Sequence, residues 1–97
     1  MDNEPVEAMV DILVAALYKF VRLDDFEAMQ SPLLDVCQNE QVMGTLLLAR
    51  EGINGTIAGS ERGVRAVLSY TRSDVRLESL THKESWAKDS RRTSERT

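Results

Sequence analysis

The sequence predicts an α+β fold, a ferredoxin-like βαββαβ sandwich in which two helices cover one face of an antiparallel four-stranded sheet. Three observations carry this. Apolar runs of strand character at Met9–Val21, Val42–Arg50 and Ile53–Ala58 are interleaved with two stretches of helical spacing. The second and third runs are separated only by Glu51-Gly52, the signature of a tight hairpin. A further alternating segment follows the second helical stretch, which completes the order of a split βαβ unit.

Each element has its own local reason. Met9 to Val21 is apolar on both parities. Val10, Ile12, Val14, Ala16, Tyr18 and Phe20 share one, and Leu13, Ala15, Leu17 and Val21 share the other. A strand of that kind is central and covered on both sides. Leu23-Asp24-Asp25 then offers a cap and early acids for a helix N-terminus. Phe26, Met29, Leu33 and Cys37 recur at helical spacing. Pro32 inside that run predicts a kink or break, with Ser31 capping a second segment. Gly52 is the residue expected at positive φ, where the lack of a Cβ removes the steric cost. Ser60 is placed to cap the second helix, whose apolar stripe is Val64, Val67, Leu68 and Thr71. Val75 and Leu77 alternate with Arg76 and Glu78, which predicts a short edge strand. Residues 1–8 read as a loose lead-in and 9–80 as the domain. Residues 81–97, with only Trp86 and Ala87 apolar, read as a flexible polar tail.

With 97 residues the chain has room for one domain and one modest core. A net charge of −4 argues against autonomous RNA binding, because phosphate neutralisation calls for a basic contact face. The single cysteine, Cys37, cannot form an internal disulfide, which suits a reducing, cytoplasmic setting. The N-terminus lacks a basic n-region, and no apolar run reaches the ~20 residues that span a bilayer, so neither signal peptide nor membrane anchor is expected.

Candidate chemistry is sparse. Cys37 falls on an apolar helix stripe beside Asp35 and Glu40, the setting of a core residue rather than of a reactive thiolate. His82 is the only histidine and reads as a solvated residue at a strand end. No metal spacing is present, and no catalytic residue, metal or cofactor is assigned. Gly52, Gly55 and Gly59 lack the following lysine and the helix of a phosphate cradle. Arg22 and Asn54 raise the alternative of a small acylphosphatase-like hydrolase, in which arginine holds a phosphate and asparagine orients water. Asp24 and Asp25 beside Arg22 would repel such a substrate. Arg50, Glu51, Gly52 and Asn54 gather around the hairpin tip, a rigidly held turn of the kind that carries recognition. Trp86, an aromatic among charges, is a candidate anchor for a partner or for the sheet. Because two helices cover only one face, the apolar second face of the first strand predicts either a covering domain or a homodimer through the open sheet.

Three segments, in order, carry a family resemblance. They are Ala16-Leu17-Tyr18-Lys19-Phe20, Ala49-Arg50-Glu51-Gly52-Ile53-Asn54-Gly55-Thr56 and His82-Lys83-Glu84-Ser85-Trp86. The stretch from about Ile12 to Trp86 resembles the N-terminal domain of the rhodanese-related tRNA uridine hydroxylases. The resemblance implies a ferredoxin-like accessory domain joined to a rhodanese-like domain. The full enzymes hydroxylate the wobble uridine of certain tRNAs with molecular oxygen, through a cysteine in the rhodanese loop. That loop is absent here and Cys37 does not match it, so the resemblance implies a binding or docking module that is not catalytic alone. Beyond Trp86 the sequence departs from the family pattern. A truncated product, a frame-shifted end and a stand-alone domain are all compatible with that departure.

Overall fold

The computed structural model describes residues 9–90. The expectations for a loose segment at 1–8 and for the end of the tail, 91–97, lie outside them. Four strands form one antiparallel sheet. They are β1 (Met9–Phe20), β2 (Met43–Ala49), β3 (Gly52–Gly59) and β4 (Thr81–Ser90), in the spatial order β2-β3-β1-β4. Helix α1 (Phe26–Asn39) connects β1 to β2, and α2 (Glu61–Arg72) follows β3. This is the expected α+β sandwich with two helices on one face.

Register explains which parity is buried. β1 pairs with β3 from Leu13↔Gly59 to Phe20↔Gly52 and with β4 from Met9↔Ser90 to Tyr18↔Thr81. Leu13, Ala15 and Leu17 of β1 lie under the helices with Ile53 and Ile57 of β3. Val64, Val67 and Leu68 of α2, Leu33 of α1, and Leu77 and Leu80 of the connection to β4 close this core from above. Burying side chains of this size contributes roughly 1.5–3 kcal/mol each, which is what holds the two helices to the sheet.

Three expectations are corrected. Val75–Leu77 is a short 3-10 turn rather than the edge strand. Leu77 is buried while Val75 is 77% exposed, so the apparent alternation comes from a tight turn with one side inward. The fourth strand is Thr81–Ser90, the first part of the stretch expected to be tail. It has few apolar residues because it is an edge, held by its backbone ladder to β1 and by charged side chains. The predicted break at Pro32 is also absent, and α1 runs continuously through it. Met29, Leu33, Val36 and Cys37, on both sides of Pro32, pack on the core, and that packing holds the helix together across the missing N–H.

Candidate docking site

The hairpin between β2 and β3 turns in two residues, Arg50 and Glu51. Its tip is tied down from the side. The amides of Val21 and Leu23 donate to the carbonyls of Glu51 and Arg50 at 3.0 and 2.9 Å. Gly52 has φ +142°, and a Cβ there would lie 2.0 Å from the Lys19 carbonyl oxygen. Glycine is therefore required both by conformation and by the close approach of β1. Asp24 sits between two guanidinium groups, with Arg22 Nε at 2.9 Å and Arg50 Nε at 3.8 Å from its Oδ1. These are exposed pairs of small energetic value, but they leave Arg22 occupied by a carboxylate.

The residues singled out from sequence do not form one cluster. Arg50, Glu51 and Gly52 share the hairpin tip. Asn54 lies farther along β3, paired with Tyr18 of β1 and Leu47 of β2. Its alternation with buried Ile53 turns it away from the helices. Trp86 pairs with Leu13, toward the opposite end of β1, and is 54% exposed. The seven residues from Leu13 to Phe20 put it roughly 23 Å from the tip along the strand. Arg22 is held by Asp24, and Asn54 is set in the open sheet face.

What the fold does assemble is that open face. Ile12, Val14, Ala16, Tyr18 and Phe20 of β1 point away from the helices, flanked by Asn54 and Thr56 of β3 and by Met43, Thr45 and Leu47 of β2. Phe20 is 76% exposed, Met43 75% and Leu47 58%. Tyr18 and Phe20 lean together with ring centroids 6.0 Å apart, a tilted aromatic pair. This is a contiguous aromatic and aliphatic surface at the centre of a rigid sheet, and the double parity of β1 was its sequence signal. Tyr18, Phe20, Met43 and Leu47 belong with the candidate site, though the sequence did not single them out.

The helical side carries ion pairs that brace the fold. Arg65 of α2 donates to both carboxylate oxygens of Glu84 on β4, at 2.9 and 3.3 Å, and to Glu61 at 3.0 Å. His82 is not a free strand-end residue. Arg72 donates to its Nδ1 at 2.8 Å, which leaves Nε2 to donate to Glu84 at 2.8 Å. Arg65, then His82, hold the Glu84 carboxyl down at about 2. At the other end, Arg76 joins Asp74 and Asp25 at 2.7 Å each, which lowers both carboxyls. Asp25 thus serves Arg76 rather than capping α1 with its side chain. Cys37 is half-buried against the core, and burial pushes its thiol up, away from the reactive thiolate. A cleft of about 320 Å³ between the helices, lined by Met29, Leu33, Tyr70, Thr71, Asp74 and Leu77, offers one carboxylate, and Arg76 already takes it. Among the described residues no group of three or more His, Cys, Asp or Glu could hold a metal ion, and no helix is long and apolar enough to cross a membrane.

Comparison with known proteins bears on this arrangement. The chain is 56% identical over 79 residues to a tRNA uridine(34) hydroxylase of Albidiferax ferrireducens and 53% identical over 79 residues to that of Teredinibacter turnerae. Each match covers 81% of this chain and 25% of the relative. The enzyme of the same name from Agrobacterium fabrum is 56% identical over 81 residues, 84% of this chain and 26% of its own length. The chain thus spans about a quarter of these relatives. Residues 12–93 match the family described as the UPF0176 acylphosphatase like domain, a span that takes in β1 from Ile12 onward, the other three strands and both helices, and the chain belongs to that family.

Proposed function

We propose that this chain is the N-terminal accessory domain of a tRNA uridine(34) hydroxylase-like protein. On this reading it is a docking module whose open sheet face is covered by the rest of the parent polypeptide, a rhodanese-like domain. The observation that carries the proposal is an apolar, aromatic face left in water by a chain equivalent to a quarter of its relatives. A patch of that kind, on strands rigidly held from behind, favours a protein interface. The acidic balance of the chain supports a bracing role over direct capture of RNA, so contact with tRNA comes through the full protein. A tRNA-directed activity and a lone unbridged cysteine both suit the cytoplasm. The chemistry is assigned to the remainder of the parent protein, because the single thiol here packs half-buried against the core, where burial pushes its pKa up.

A domain exchange tests this. The matching segment of the Agrobacterium fabrum relative is replaced by residues 12–93 of this chain, and hydroxylated uridine is quantified by mass spectrometry of tRNA. The chimera should retain modification, and Phe20→Asp within it should lower modification roughly tenfold, the loss expected of a central interface anchor. A folded chimera that modifies tRNA equally well with and without Phe20→Asp would contradict docking through this face.

A further inference from the structure

The two edges of the sheet are built differently. β4 carries Lys83, Glu84 and Lys88, charges of the kind that keep an edge strand from pairing with another chain. β2, Met43-Gly44-Thr45-Leu46-Leu47-Leu48-Ala49, has no charge and no proline, and its pairing to β3 runs without a bulge from Met43↔Ala58 to Ala49↔Gly52. Alternate residues of such an edge turn their N–H and C=O groups outward with no strand to receive them. Apolar side chains border the edge on both sides. Met43 and Leu47 are exposed on the open face, and Leu34 of α1 is exposed on the helical side. Leu34, Cys37, Leu46 and Leu48 line a cleft of about 390 Å³ between α1 and β2.

We infer that β2 is a strand-pairing edge whose occupant is β2 of a second copy of this chain, joined antiparallel about a two-fold axis into a continuous eight-stranded sheet. An uncharged strand can meet its own copy without repulsion, and a two-fold contact closes at two subunits. The side-chain sizes select the register. With the axis at Leu46, Gly44 faces Leu48 of the second copy, Thr45 faces Leu47, and Met43 faces Ala49. At every off-axis position a smaller side chain meets a larger one. Parity is preserved, so Leu46 and Leu48 of both copies lie on the helical side, while Met43, Thr45 and Leu47 extend the open face. The pairing contact is made through the backbone edge of β2, whereas the docking face proposed above centres on β1 and reaches β2 only through the side chains of Met43, Thr45 and Leu47.

Sedimentation of the 97-residue chain over a wide concentration range tests the inference. The chain should pass from monomer to dimer. Thr45→Lys, at an exposed edge position, should weaken dimerisation on the order of tenfold or more. Ala16→Glu, on the open face of β1 opposite Lys83 and away from the β2 edge, should leave it unchanged. A wild-type monomer at all concentrations, open-ended aggregates, or loss of the dimer in Ala16→Glu would overturn the inference. Amide exchange on the wild-type chain gives a readout that needs no variant. Alternate β2 amides should gain protection as concentration rises, and concentration-independent exchange along β2 would also overturn it.

Discussion

Gly52 shows how a single residue connects the hairpin to the sheet. The sequence places it correctly at positive φ, but for an incomplete reason. Turn geometry asks for conformational freedom, whereas the fold also demands the empty space that lets the Lys19 carbonyl approach. A backbone atom cannot move aside as the end of a side chain can, so conformational strain and overpacking act together. Gly52→Ala should destabilise the domain on the order of 3 kcal/mol, read as a lowered urea midpoint at unchanged slope. An unchanged midpoint would contradict the close approach. Other single residues were legible only in part. Ser60 caps α2 as its position suggests, accepting from the Gly63 amide at 3.0 Å. Cys37 packs against the core as its helical spacing implies. The role of His82 was not legible, because Arg72 and Glu84 are brought to it by a helix and a strand whose mutual placement local patterning does not contain.

At the scale of elements, β1, the hairpin and both helices are legible because apolar periodicity records which side faces the core. β4 is not, because its stability comes from backbone pairing and charge rather than from buried side chains. Val75 and Leu77 imitate a strand since a 3-10 turn also buries one residue and exposes its neighbour. The clasp between α2 and β4 gives this a measurable consequence. The Glu84 carboxyl falls from its ordinary 4.5 to about 2 in the folded chain, chiefly through Arg65 and then through His82. A depressed carboxyl contributes its stability above the unfolded value, and that contribution is lost as pH falls from about 4.5 through about 2. Asp25 and Asp74, lowered by Arg76, act in the same direction. Urea midpoints should therefore decline across this range, and Glu84→Gln should flatten part of the decline. The effect should be modest and reduced by salt, because the pair is open to solvent. A Glu84→Gln profile parallel to that of the unsubstituted chain would show that β4 is held by its ladder alone.

At the scale of the whole molecule, the sheet has one face closed by helices and one left open. The open face was foreshadowed by the two apolar parities of β1, but its composition was not. Met43 and Leu47 join Tyr18 and Phe20 only through strand register, and that register also separates Trp86 from the hairpin tip. A domain built this way has a closed core beneath its helices and an exposed apolar face opposite them. On the proposed docking, the remainder of a longer relative sits on the open face. This placement is tested most directly by titrating the isotopically labelled chain with the remaining three quarters of the Agrobacterium fabrum relative and following backbone amide resonances. Shifts should concentrate at Val14, Tyr18, Phe20, Leu47 and Asn54, with α1 and α2 unmoved. Shifts confined to the helices, or none at saturating partner, would contradict it.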